Sequence, residues 1–425
     1  MRVTLIYAKS RLFKEKAKGI GGFDEGAGEY ARDDVFPPLG IACLGAVLEE
    51  KGHEVRLIDD SIEEDSVIDE AIRWSEVVGV TALTSNARRA NELGRMAKGM
   101  GKFTVAGGPH PTVAPEFFLE GDDPPFDLTV QSEGDLVLPE ILDNVDRPEN
   151  WPNIKNLTFK RDGELVQTPR RGFIKDLDSL PFPAYHLYDM NRYFKYMVNP
   201  GIPIVSSRGC PYACTFCDAE MTPRNYRAMS AERTVELMDK MMRDYDAPQM
   251  FFFDDLFTIN KKRVMAICEE LIRRGIFVEW SAESRVDTVT HEMLRLMRKA
   301  GCIKLYFGLE SGSPNQLITM KKSVTPEGIL KGAKLTREIG IYFKFFIIYG
   351  FPGETDEDHA CTEEIVKRSL PHNIAVSLLC PHKGTEVYDQ IKDRIIHQPE
   401  VVEYGYWHQT VMWRHDRFSF EELQA

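Results

Sequence analysis

No run in this 425-residue sequence is long and apolar enough to read as a membrane span. The most apolar stretch, 342–351, contains Lys344 and is about half the length a spanning helix requires. A leader is not legible either, because Met1-Arg2 run straight into the strand-like VTLIYA, so the sequence predicts a cytoplasmic protein. Positive charge is in deficit. Lys and Arg number 53 against 66 Asp and Glu, a net charge of −13 that argues against a nucleic-acid binder. No repeat or low-complexity segment occurs, and histidine is absent from 9–34, the stretch after the first apolar run. Cysteine is sparse as well. In a cytoplasmic chain eight cysteines favour metal or catalytic use over disulfides, and three of them fall within eight residues.

The first 145 residues alternate strand and helix patterns. Strands are predicted at 3–8, 54–59, 77–81, 103–106 and 128–131, with helices at 39–51, 61–74, 87–100 and 136–145. This spacing predicts a flavodoxin- or Rossmann-like parallel sheet covered on both faces. Residues 146–200 are proline-rich and hold Asp162-Gly163 at a hairpin turn, so they read as a hairpin and linker. From 201 to 392 the alternation resumes, with strands at 204–206, 249–253, 278–282, 304–309, 342–349 and 373–379. Six such units predict a partial (β/α)6 barrel whose ligands sit at the C-terminal strand ends. The last segment, 393–425, is an aromatic-rich tail whose default role is packing against the barrel.

Cys210, Cys214 and Cys217 directly follow the first barrel strand. Thiolates at i, i+4 and i+7 of one loop can wrap a single soft-metal centre and leave one position open. An iron–sulfur cluster normally takes four cysteines, so a set of three points to a cluster whose last iron binds substrate or cofactor. A zinc site completed by a distant ligand is the competing reading. Cys380 ends the sixth strand facing the expected cavity, where packing is weighed against reactivity.

The run SSRGCPYACTFC, with Phe216 before the last cysteine, resembles the cluster loop of radical S-adenosylmethionine (SAM) enzymes. The resemblance implies a [4Fe–4S] cluster on Cys210, Cys214 and Cys217, SAM on the open iron, and one-electron cleavage of SAM to a 5′-deoxyadenosyl radical. It also implies SAM contacts at successive strand ends. Asp254 and Asp255 are candidates for the SAM amino group, Ser281 and Arg285 for its carboxylate end, and Glu310 for the ribose. At Gly350 the backbone can approach the adenine.

In the first domain PPLG, GHEVRLID, VGVTALT, GGPHPT and SEGD follow the layout of the cobalamin-binding, B12-dependent radical SAM family. The resemblance implies cobalamin against Thr81, Leu83, Thr84, Gly107, Gly108, Glu133 and Gly134. His110 is read as lining the nucleotide tail. With no histidine in 9–34, cobalt is expected to lack a histidine ligand below it. The glycine-rich 19–28 is read as a loop.

The leading expectation is methyl transfer to an unactivated carbon of a small-molecule substrate, with a flavodoxin- or ferredoxin-type electron donor. A radical cyclase of the anaerobic porphyrin-ring-forming type is the first alternative. A methylthiotransferase lacks its second cluster and its basic RNA module in this sequence. A non-catalytic cobalamin or redox sensor is the remaining rival.

Overall fold

The computed structural model describes residues 1–9, 35–218, 224–398 and 410–424, so 19–28 and the aromatics Tyr404, Tyr406 and Trp407 lie outside the described residues. The chain forms two compact units. One is built from Met1–Lys175 and Ser179–Val198, the other chiefly from Asn199–Gln398 and the end of the chain. No described helix is long and apolar enough to cross a membrane.

The first unit is one sheet of β1 (Arg2–Tyr7), β2 (Glu54–Asp59), β3 (Val77–Thr81), β4 (Phe103–Gly107), β5 (Leu128–Val130), β6 (Leu157–Arg161) and β7 (Glu164–Gln167). Its order is β2-β1-β3-β4-β5-β6-β7, parallel through β5 and antiparallel beyond it. Val3, Val77, Val78, Val80, Val105 and Leu128 are buried, as strands covered on both faces require. The hairpin that the sequence places between domains is continuous with this sheet, because Phe159 pairs with Leu128. Strand order reverses between β1 and β3, the position where open α/β sheets bind ligands.

Asp59 ends β2 almost fully buried, accepting from the Tyr193 hydroxyl at 3.0 Å and the Ser61 N–H at 2.9 Å. Burial pushes its carboxyl up to about 6. A folded-state value above the unfolded one means that stability is fullest at low pH and falls as pH rises through about 6. Asp59→Asn keeps the shape, and the Tyr193 hydroxyl can reverse to accept. This variant is expected to gain about 2–3 kcal/mol over the parent at pH 8, about half that at pH 5 and almost nothing below about pH 4, read from urea midpoints.

The second unit is a six-stranded, all-parallel sheet of β8 (Ile202–Ile204), β11 (Gln249–Phe252), β12 (Glu279–Ser284), β13 (Cys302–Glu310), β14 (Tyr342–Tyr349) and β15 (Asn373–Leu378). A small ribbon of β9 (Ser207–Arg208) and β10 (Arg227–Ala228) stands apart. The helices between strands start on side-chain caps: Ser230, Asn260, Thr290, Thr325 and Thr355 each accept a first-turn N–H. Burial alternates along β14, with Phe343, Phe345 and Ile347 turned to the helices and Tyr342, Lys344, Phe346 and Ile348 half-exposed on the other face. That half-exposed face is the open interior of a partial barrel.

Candidate active site

The loop carrying the three cysteines is held from below by the strand that follows it in the sheet. Asp254, just past β11, is fully buried and accepts from Ser206 N at 2.7 Å, Ser206 Oγ at 2.8 Å and Ser207 Oγ at 2.5 Å. Burial raises its carboxyl, and Arg263 with the serine donors opposes that rise. Arg263 completes the brace by donating to Ser206 O and Met229 O. Asp255 accepts from Gly209 N at 2.6 Å. Both carboxylates that the sequence offers to the SAM amino group are therefore tied to the backbone or hydroxyls leading into Cys210.

From the sides the loop is held by later segments of the same unit. Thr215 N donates to Met320 O and Val387 N donates to Thr215 O, each at 3.0 Å. The Phe216 ring meets Phe351 edge-on at 6.4 Å. Arg285 lies 3.8 Å over the Tyr212 ring and donates twice to Asp287 at 2.9 Å. Glu310 adopts a left-handed backbone with φ +62° and pairs with buried Lys322 at 2.9 Å. A non-glycine residue in that region carries backbone strain, of the kind found at ligand sites. Cys210 is half-buried, Cys214 buried and Cys217 exposed. A hydrogen bond from Cys217, with Lys322 and Arg285 nearby, holds the Cys214 thiol well below the ordinary thiol range, and the same bond pushes Cys217 up. Burial pushes the Cys210 thiol up as well, so thiolate character rests on Cys214 alone; three thiols on one loop, with Lys322 and Arg285 nearby, are the donor set an iron–sulfur cluster takes. Among the described residues no three His, Cys, Asp or Glu side chains converge on a single-ion site.

Two inward residues of β12 stand out. Trp280 and Ser284 face the helices, where Trp280 packs on Phe252 and Phe257 and Ser284 meets Thr258. Ser281 and Glu283 therefore face the barrel interior. Ser281 is 2% exposed and its Oγ has no hydrogen-bond partner. Glu283 is solvent-accessible although protein surrounds it on most sides, as befits a side chain lining an open interior. Burial raises its carboxyl to about 7, with Asp255, Asp254 and Glu310 adding to the rise. Glu283 lies beyond the strand end at 282 that the sequence pattern predicts, because β12 runs on to Ser284. Its spacing of two from both Ser281 and Arg285 was the available signal.

Gly350 ends β14 with φ +73°; its N–H donates to Glu354 and its carbonyl accepts from Trp413. Cys380 is half-buried just beyond β15.

In the first unit Thr81, Leu83 and Thr84 are half-buried at the end of β3. Asn86 fixes their turn by accepting from Leu83 N and donating to Ala8 O. Gly108 has φ +102°, and a Cβ there would lie 2.6 Å from Thr81 Oγ1, so the loop's own packing requires glycine. Gly107 is the open position, since a Cβ there would meet only Val130 Cβ at 4.0 Å. His110 is fully buried against Phe117 and Phe118 instead of lying on the loop surface. Glu133 accepts from Ile174 N, and Gly134 lies against Leu44. An open glycine beside half-buried hydroxyls at a strand-order reversal suits a large flat ligand approaching backbone.

The Radical SAM superfamily model matches residues 204–364, and the B12 binding domain model matches residues 31–142. Over 360 residues the chain is 32% identical to an uncharacterized methyltransferase of Pyrococcus horikoshii, covering 83% of this chain and 78% of that protein. It is 26% identical over 388 residues to the anaerobic magnesium-protoporphyrin IX monomethyl ester cyclase of Rubrivivax gelatinosus, covering 88% and 69%. Among solved structures it resembles OxsB, a cobalamin-dependent S-adenosylmethionine radical enzyme solved with aqua-cobalamin and S-adenosylmethionine bound. The TM-score is 0.73 at 20% identity over 92% of this chain, which spans 55% of the length of OxsB. A parallel α/β domain followed by a partial barrel with a three-cysteine loop defines the class, and the chain belongs to the B12-binding-domain radical SAM family. The cofactors of that family are a [4Fe–4S] cluster, SAM and cobalamin.

Proposed function

We propose that the chain is a cobalamin-dependent radical SAM methyltransferase that methylates an unactivated carbon of a small molecule. The observation that carries this reading is the cysteine loop, braced by Asp254 and Asp255, with the ends of β12, β13 and β14 around it. The identity to a methyltransferase along most of both chains supports it. When bound, the cluster supplies the electron that cleaves SAM, and cobalamin supplies the methyl carrier. The electron donor we expect is a flavodoxin or a ferredoxin.

The chain's own residues then hold the reactants. Cys210, Cys214 and Cys217 ligate the cluster, while Asp254 and Asp255 position the loop without touching SAM. Arg285, held by Asp287 through Nε and Nη2, presents its Nη1 to the SAM carboxylate, Glu310 offers the ribose the carboxylate oxygen that Lys322 does not take, and the loop at Gly350 takes the adenine edge. Because both aspartates are committed, we assign the ammonium of SAM to Glu283, which has no hydrogen-bond or ion-pair partner among the described residues, with Ser281 beside it. Thr81, Thr84 and Gly107 offer the cobalamin its contact surface.

Glu283 gives a pH test. Its carboxylate form accepts from an ammonium, and its value near 7 is set by burial and by Asp255, Asp254 and Glu310. On the neighbouring strand β13, Tyr306 stands in register with it, and Lys304 and Glu310 are the charged groups. SAM affinity is expected to rise between pH 6 and pH 8 in the parent. Glu283→Gln is expected to bind about tenfold more weakly and to lose that slope. Equal affinity and an unchanged slope in the variant would remove Glu283 from the site.

The reaction type is tested by feeding SAM with a deuterated methyl group to the reconstituted enzyme with a small-molecule extract of its source. A product carrying the intact CD3 group is expected. An unlabelled product that has lost hydrogens would replace methyl transfer by the cyclase reading.

A further inference from the structure

The aromatic tail is not absorbed by the chemistry above, yet it makes specific contacts with one strand end. Trp413 is 2% exposed and packs with Phe351, Met320 and Leu379, and Phe216 of the cysteine loop lies against the same cluster. Its indole N–H donates to Gly350 O at 3.2 Å. Two residues on, His415 Nδ1 accepts from Arg417 N and Phe418 N, each at 3.1 Å. That nitrogen therefore carries no proton, so Nε2 carries it and donates to Phe351 O at 2.9 Å. Asp416 accepts from Gly353 N at 3.1 Å and is paired with Arg394. On the inner side of the same turn, Glu354 accepts from Gly350 N and Phe351 N. The Phe418 ring stacks between His359 and His415 at about 5 Å from each.

We propose that residues 413–418 form a strap that sets the position of the loop 350–353, with Trp413 and His415 as positioning residues for SAM. The inference rests on the reading of that loop as the adenine side of the SAM site. Two glycines in the left-handed region, Gly350 and Gly353, give the loop little stiffness of its own. Glu354 holds it from within the turn, and the strap holds two carbonyls and one N–H from outside. Without the strap the loop samples more conformations, and SAM must order it on binding.

The test separates the two halves of His415. Asn presents an oxygen near the position of Nδ1 and keeps the tail's turn, whereas Gln presents an N–H near Nε2 and keeps the contact with Phe351 O. For SAM cleavage, His415→Ala and His415→Asn are expected to raise the KM for SAM about tenfold with a much smaller change in kcat, and His415→Gln to restore most of it. Trp413→Phe keeps a buried aromatic ring but removes the N–H together with part of the indole, so a change in the same direction is expected. Amide hydrogen exchange on the purified chain, without cofactors, reads the loop directly. The Gly353 amide is expected to exchange about tenfold faster in the Ala and Asn variants than in the parent or the Gln variant.

Rescue by Asn and failure of Gln would overturn the proposal, since the tail's turn and not the loop contact would then matter. Exchange at 350–353 unchanged in every variant would overturn it as well. Addition of SAM to the reconstituted parent is expected to slow exchange at 350–353. No response there would overturn the assignment of this loop to SAM, independently of the variant series.

Discussion

Replacement of Cys210, Cys214 or Cys217 by Ala is expected to cut the iron retained after anaerobic reconstitution by at least about tenfold and to abolish the low-temperature spin-resonance signal of a reduced cluster. Three thiolates from one loop are the whole protein ligand set in this assignment, so any one loss leaves two irons without protein anchors. The variants separate ligation from folding because the three sites differ in burial. Cys217 is exposed, and its truncation leaves no cavity, whereas Cys214 is buried beside Lys322. Cys361, exposed on the helix Asp356–Ser369, is the control, and its replacement by Ser is expected to leave the iron content unchanged. Full iron retention in the Cys217 variant would remove that residue from the ligand set.

Asp254→Ala is expected to destabilise the second unit by about 3–5 kcal/mol and to cost cluster retention as a consequence. The carboxylate is fully buried and satisfies three donors from the segment leading into Cys210, with Arg263 behind it. Removing it leaves those donors unpaired and a buried cation short of its counter-charge. Asp254→Asn keeps the shape and one acceptor and is expected to lose roughly half as much. Urea unfolding followed by tryptophan fluorescence reads both. A variant with parental stability and only a weakened KM for SAM would return Asp254 to the role of a direct SAM contact.

Much of this architecture is legible in the sequence because parallel strands covered by helices write a simple pattern. β13 and β14 show it most clearly: the residues facing the helices are Leu305, Phe307, Phe343 and Phe345, and the intervening ones are polar or half-exposed. The cysteine loop is equally plain, since ligand spacing within one loop is a local property. What the sequence withholds is which distant donors meet a given acceptor. Asp254 stands at a strand end, where a ligand contact is a reasonable expectation. Its partners Ser206 and Ser207 lie nearly fifty residues earlier, and only the pairing of β8 with β11 brings them together.

Glu283 was hidden by a strand boundary. The sequence pattern ends the strand at 282, whereas β12 continues to Ser284, and that extension fixes the inward phase of Glu283. Gly108 shows the converse case. Its glycine is read from sequence as room for a ligand, while the positive φ and the nearness of Thr81 show a requirement of the loop itself; the open position is its neighbour Gly107. His110 lies in the same loop, yet it turns into the core because Phe117 and Phe118 fold back over it. The tail's aromatics promise packing, but nothing local ties Trp413 and His415 to two carbonyls more than sixty residues away.

The most direct test of the central claim is the formation of 5′-deoxyadenosine from SAM by the anaerobically reconstituted, cobalamin-loaded full chain, with a strong one-electron reductant and quantification by mass spectrometry. The account predicts multiple turnovers in the parent and none in the Cys210→Ala, Cys214→Ala and Cys217→Ala variants. A parent preparation with an intact, reducible cluster and bound SAM that forms no 5′-deoxyadenosine would contradict it.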